Sequence, residues 1–239
     1  MHRPLPRLRL AVALGLAAGL LTACAPEPVT TEGAQAKFLY DVFLAAAAVV
    51  FAVVAGLIGW SIVRYRERDD GREPSGTHEN IRLELLWWAI PTALVIVLFL
   101  LTAQVLGVVD ERTDDPDVTV TVTGFQWQWR FTYEEEGVVI TGVPDEPPRV
   151  VLPVGQRIAF DLESPDVIHS FWVPQFLIKR DVVPGRTNRI EVTIEEPGTY
   201  AGVCGEFCGL LHHRMRFTLE AVNVEEFEAW LASQAGADG

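Results

Sequence analysis

Two long apolar runs, each free of charge, constrain this chain more than any other feature. Val42 to Val63 gives 22 residues without a charged side chain, and Leu85 to Val109 gives 25. About 20 apolar residues carry a helix across the hydrocarbon core of a bilayer. Trp60, Trp87 and Trp88 lie near the ends that face the intervening loop, where interfacial aromatics belong. That loop carries Arg64, Arg66, Arg68, Arg72 and Arg82, which places it in the cytoplasm. The N-terminus and everything beyond residue 110 are then expected outside. Asp41 sits at the outer edge of the first span, where a charge is tolerable.

Ahead of the spans lies a leader. Arg3, Arg7 and Arg9 precede the apolar stretch LAVALGLAAGLL, which runs into LTAC. A positive region, a short apolar region and small residues before a cleavage point make a secretory signal. The terminal Cys makes LTAC similar to a bacterial lipobox, with lipid on Cys24 after cleavage. An ordinary signal peptide with Cys24 incidental, or an uncleaved anchor, is the alternative. Leader and spans together account for a hydrophobic fraction of 49%, high for a soluble protein.

Charge is distributed unevenly. Up to residue 109 there are 9 acidic and 9 basic side chains. From 110 onward there are 23 acidic against 10 basic, which is the chain's whole formal charge of −13. An acidic outer half argues against nucleic acid and anionic lipid headgroups as its natural partners. It suits a basic protein drawn in by long-range attraction, or else serves solubility and bilayer repulsion alone.

Past Val109, DERTDDP breaks the helix. Then follow VTVTVTGFQWQWRFTY, GVVITG, RVVLPVG, RIAFDL, HSFWVP, RIEVTI, TYAGV and MRFTLEAV, separated by turn signals such as VPDEPP, VPGR and EEPGT. Many short strands in close succession predict a Greek-key β-sandwich. VEEFEAWLASQ has helical periodicity. The expected organisation is a signal peptide with lipobox over 1–23, a short outer segment over 24–37 and a transmembrane helical hairpin over 38–109. A linker over 110–117, a sandwich over 118–222 and a C-terminal helix and tail over 223–239 complete it.

The run CGEFCGLLHHRM holds Cys204, Cys208, His212 and Met215 within twelve residues. Thiolate with thioether selects copper, whereas zinc takes Cys, His or carboxylate. A single-copper electron-transfer site needs one Cys, two His and a weak axial Met. One extra Cys points to two coppers bridged by two thiolates. Of the five histidines, His2 falls in the leader and His78 in a charged loop, so His169 in SPDVIHSFWVP is the candidate second imidazole. The i, i+4, i+8 spacing of Cys204, Cys208 and His212 also fits one face of a helix. Gly202, Gly205 and Gly209 between strand-like flanks fit a tight loop better. A Cys204–Cys208 disulfide or a zinc site remains the alternative. With Cys24 set aside for lipid, no cysteine is left over for a structural bridge.

GFQWQWRF at 124–131, DVIHSFWVP at 166–174, KRDVVPGR at 179–186 and GVCGEFCGLLHHRM at 202–215 resemble subunit II of a haem–copper cytochrome c oxidase. The paired apolar helices match as well, and the resemblance runs from about residue 38 to 222. It implies a membrane-anchored all-β protein, a two-helix hairpin followed by a cupredoxin-like sandwich. It also implies a binuclear copper A centre that accepts electrons from a c-type cytochrome and passes them to haem in subunit I, where oxygen is reduced to water. By resemblance Cys204 and Cys208 bridge two copper ions, and His169 and His212 bind one each. Met215 completes one copper and the Glu206 carbonyl the other. His213 does not match the family spacing. The Glu206 carboxylate matches a ligand to magnesium shared with subunit I.

GFQWQWRF places Trp127 and Trp129 on one side of a strand with Phe125 and Phe131 in phase, which by itself reads as core. The resemblance makes Trp127 the point of electron input. It makes Asp166 a docking residue for the donor, with Glu134, Glu135 and Glu136 as weaker candidates that also suit a solvated turn. Glu84 matches a residue near the mouth of a proton-uptake channel in subunit I, although a helix-start carboxylate is also stabilised by the helix dipole. Gly205 stands where many members have Ser. No CxxCH is present, so the donor haem is expected to be separate or carried on another subunit. The implied location is a bacterial cytoplasmic membrane, crossed more than once, with the copper domain on the outer face and subunits I and III and membrane lipid as neighbours. A quinol oxidase subunit II would share the helices and sandwich but lack the copper ligands. A membrane-tethered copper carrier would need only one anchor.

Overall fold

The computed structural model describes residues 26–66, 76, 79–143 and 145–235. Cys24, the leader and His78 lie outside the described residues. The described residues divide into a helical unit, Phe38–Val108, and a second unit formed by those on either side of it.

Both apolar runs are helical. Helix α1 spans Thr31–Arg64 and helix α2 spans Ile81–Val109, each long and apolar enough to cross a membrane. α1 begins inside the segment expected to precede the span. Thr30 sets that start, because its side-chain oxygen accepts the Gly33 N–H at 2.9 Å and satisfies an otherwise orphaned helix donor. Asn80 does the same for α2 through the Leu83 N–H at 3.2 Å. Glu84 reaches back to accept the Asn80 N–H at 3.3 Å, so the two residues close a reciprocal cap. Pro91 lies inside α2.

The remaining chain forms two five-stranded sheets. One has the order β3 (Val138–Thr141), β2 (Gln128–Tyr133), β1 (Val118–Phe125), β5 (Arg157–Glu163), β8 (Asn188–Thr193). The other runs β4 (Arg149–Pro153), β10 (Arg216–Val222), β9 (Gly198–Cys204), β6 (His169–Trp172), β7 (Lys179–Val182). β1 pairs parallel with β5, and β4 parallel with β10, while every other ladder is antiparallel. Helix α3 (Val224–Ala235) follows β10.

Alternation decides which faces meet. β1 reads buried and half-buried in strict turn, as VTVTVT requires of a strand with one face in the core. The core is aromatic. Phe171 stacks on Phe217 at 5.0 Å, Trp129 meets both edge-on, and Phe131 and Phe160 close the group. Gly202 is obligatory here, since a Cβ would lie within 2.0 Å of the Phe217 ring. Tyr133 is buried and donates its hydroxyl to the Val151 carbonyl at 2.7 Å, and burial raises its pKa beyond the ordinary tyrosine range.

Two local readings change. VTVTVTGFQWQWRFTY is not one strand: Phe125 pairs with Gln128, and the chain reverses at Gln126–Trp127. Trp127 therefore sits in a hairpin turn, out of phase with Trp129, Phe131 and Tyr133, which are fully buried. The second change is β7, a four-residue strand in KRDV. Its charged residues hide the alternation that marks the others.

An ion cluster holds one end of the sandwich unit. Glu32 and Glu191 are both 2% exposed. Arg157 pairs with Glu32 and, at 3.1 Å, with Glu191, and donates to the Glu111 carbonyl at 2.8 Å. Glu191 also accepts the Thr113 N–H at 3.0 Å and Arg189 at 2.9 Å. Buried carboxylates persist only when paired and hydrogen-bonded, and this one arginine serves both.

Candidate metal centre

β9 ends at Cys204 and β10 starts at Arg216, and the loop between them winds back on itself. Glycine permits this at Gly209, where φ is +120° and a Cβ would press on Gln126 and Trp127 at 3.1 Å. A 3₁₀ turn over His212–Arg214 then brings Met215 into the core at 1% exposed. The helix-face reading of Cys204, Cys208 and His212 is thus replaced by a compact loop. β6 runs beside β9, with Phe171 opposite Cys204, and so carries His169, fully buried, to the same place.

Six donors converge. Cys204 Sγ and Cys208 Sγ are 3.8 Å apart, well beyond a disulfide bond of about 2.05 Å, and both thiols are free. His169 Nδ1 lies 3.9 Å from Cys204 Sγ, and His212 Nδ1 lies 3.6 Å from Cys208 Sγ. Met215 Sδ is 3.7 Å from Cys208 Sγ, and the Glu206 carbonyl oxygen is 3.2 Å from Cys204 Sγ. Ligands ~2.3 Å from a tetrahedral metal stand about 3.7 Å from one another, so the spacing fits bound metal. Among the described residues, His169, Cys204 and Cys208 form a group whose donor atoms all lie within 4.8 Å of one another. His213 is exposed and outside the cluster.

The electrostatics favour one thiolate. Burial alone would raise Cys204, but hydrogen bonds from His169, the adjoining backbone and His212 outweigh it and bring its pKa down to about 7. Burial and the charge on Cys204 push Cys208 up to about 12. Burial lowers His169, yet its contacts with Cys204 and Asp166 prevail and its pKa is raised. A cation placed between the sulfurs would release the second proton by removing that repulsion.

Trp127 is half-buried at the rim, and its indole Nε1–H donates to the Cys208 carbonyl at 3.1 Å. Gln126, which sequence reading passed over, donates to the same carbonyl at 2.8 Å. Asp166 lies beside His169, its carboxylate 2.9 Å from Nε2. The Glu206 carboxylate is paired with Lys179. Glu84 belongs to the helical unit and is not part of this cluster.

Two apolar helices and a β-sandwich with soft donors at one end define a membrane-bound metalloprotein of the cupredoxin kind. The family model described as cytochrome c oxidase subunit II, periplasmic domain, matches residues 118–222, and the one for its transmembrane domain matches 24–105. The chain is 33% identical to a probable cytochrome c oxidase subunit 2 of Nocardia farcinica, covering 96% of this chain and 81% of that one. It is 34% identical to its counterpart in Streptomyces coelicolor, covering 98% and 89%. A solved periplasmic domain of subunit II of cytochrome oxidase from Bradyrhizobium japonicum aligns at 29% identity and TM-score 0.48, covering 53% of this chain and 99% of that one. The chain belongs to the cytochrome c oxidase subunit II family. It is a membrane protein, one subunit of cytochrome c oxidase, an oxidoreductase complex, and its sandwich is the domain in which the family carries copper A.

Proposed function

We propose that this sandwich holds two copper ions and is the point at which electrons from a c-type cytochrome enter a respiratory oxidase. The observation that carries the reading is the pairing of donors around two sulfurs. Each thiol has an imidazole nitrogen beside it, and each has one weak donor, a carbonyl for Cys204 and a thioether for Cys208. One tetrahedral metal takes four ligands, and six converging donors with the sulfurs at the centre suit two. His169, Cys204, Glu206 through its carbonyl, Cys208, His212 and Met215 would hold them. When bound, the copper pair supplies a one-electron couple spread across two thiolates.

The chain's own residues do the rest. Burial of His169, Cys204, Cys208 and Met215 keeps water from those donors, and the Trp127 indole, bonded to the Cys208 carbonyl, offers the donor protein an aromatic surface next to a metal-binding residue. In the same reading the helices cross a bacterial cytoplasmic membrane as a hairpin, with the sandwich on the outer face and subunits I and III alongside. The Glu206 carboxylate would take magnesium shared with subunit I once Lys179 gives way. Glu84 would stand at the mouth of a proton route into subunit I.

Purified full-length chain in detergent, loaded with copper, should bind two coppers per chain and show an unpaired electron shared by both. Cys204→Ser and Cys208→Ser should each abolish that signal, and Met215→Leu should keep copper but shift the potential. A stoichiometry of one, or uptake of zinc in preference to copper, would overturn the reading.

A further inference from the structure

The β1–β2 turn is bonded to both ligand-bearing segments of the sandwich. Gln126 donates its backbone N–H to Asp166 Oδ2 at 2.7 Å and its side-chain Nε2–H to the Cys208 carbonyl at 2.8 Å. Asp166 Oδ1 accepts the Val167 N–H at 2.6 Å and lies 2.9 Å from His169 Nε2 and 3.2 Å from Ser164 Oγ. His169 is fully buried, and among the described residues the partner of its Nε2 is this carboxylate, while its Nδ1 is the atom that faces Cys204.

We propose that Gln126 and Asp166 form a bracket that positions His169 and Cys208 for metal, acting as positioning residues and not as ligands. The inference rests on the copper reading above. Asp166 receives the His169 Nε2–H, which fixes the tautomer that leaves the Nδ1 lone pair free for copper. Metal-binding histidines are routinely oriented in this way by a carboxylate on the other nitrogen. Gln126 ties the same carboxylate to the carbonyl of Cys208, 82 residues further along the chain. Only a carboxylate can do this. It must accept Gln126 N–H on one oxygen and His169 Nε2–H on the other, and an amide offers one acceptor and one donor. In Asp166→Asn one of the two arms must therefore face a donor.

The bracket separates from donor docking by experiment. Full-length wild type, Asp166→Asn, Gln126→Leu and Glu228→Gln, an exposed charge-removal control on α3, are loaded with copper in detergent. Copper loss to a chelator, absorption spectrum and midpoint potential are measured without any cytochrome, and the melting of the copper-free chains checks folding. Asp166→Asn and Gln126→Leu should melt as wild type yet lose copper roughly 10- to 100-fold faster, the usual range for groups that orient a metal ligand. Both should shift the spectrum and potential, and Glu228→Gln should shift neither. Wild-type copper retention, spectrum and potential in the two variants would overturn the bracket, even if reduction by cytochrome slowed, since that result assigns both residues to docking. Failure of wild type to take up copper would instead overturn the copper reading, and the bracket with it.

Discussion

At the scale of single residues, the Trp127 indole spends its one hydrogen bond on the Cys208 carbonyl while its ring stays half-buried at the rim. A core tryptophan such as Trp129 is fully enclosed and edge-on to three aromatic neighbours, two Phe and His169. The two rings, two positions apart, thus have different surroundings. Trp127→Gln should leave copper in place and sharply slow electron transfer within the docked complex, read by stopped-flow reduction at saturating cytochrome. An unchanged rate would return Trp127 to a packing role. The thiols give a second expectation. Copper must take both as thiolates, and in the empty site Cys204 ionises near 7 while Cys208 holds its proton to about 12. Between those values the thiols should release one proton per chain on loading, approaching two below pH 7, so uptake strengthens as pH rises. A pH-indicator titration during loading counts them.

Elements act here as carriers of loops. β6 and β9 are adjacent and antiparallel, so the residue that starts one and the residue that ends the other meet at the same end of the sheet. That neighbouring arrangement brings His169 to a cysteine 35 positions away. In a second such role, Arg157 collects Glu32, Glu191 and the Glu111 carbonyl, so the first turn of α1 and the chain just after α2 are fixed to β5 and β8. At the start of α2, Glu84 accepts the Asn80 N–H, a bond sufficient to explain a carboxylate in a first helical turn. Glu84→Gln keeps an acceptor for that bond and removes the charge. If Glu84 feeds a proton route, turnover of the assembled oxidase should fall while copper content and copper reduction stay at wild-type levels. Unchanged turnover would leave it as a cap.

For the whole molecule the governing property is the segregation of charge. The chain's formal −13 falls entirely on residues beyond 109, on the domain that carries the donor set. Attraction between unlike proteins raises their encounter rate and is screened over about 8–10 Å near physiological salt. The second-order rate of reduction by a basic cytochrome should therefore fall steeply with ionic strength, while the rate within the docked complex should not. A flat salt series would mean that the acidic face serves solubility alone.

Much of this was legible in the residues because it is local. Charge-free length marks a helix able to cross a bilayer, alternation marks β1, and two Cys, a His and a Met within twelve residues name a soft-metal loop without any fold. What is non-local needed the tertiary structure. Periodicity reports which way side chains point only while a strand continues, so it could not show that the chain reverses at Gln126–Trp127. KRDV pairs as an edge strand through its backbone, which its charged side chains conceal. The resemblance offers Asp166 only as a docking residue; its position against His169 and Gln126 depends on packing of the 164–169 turn over a hairpin 40 residues earlier. Ligand chemistry is a property of residue types and is written in the sequence. The orientation of those ligands depends on hydrogen bonds between distant segments, which exist only once the two sheets have closed on one core.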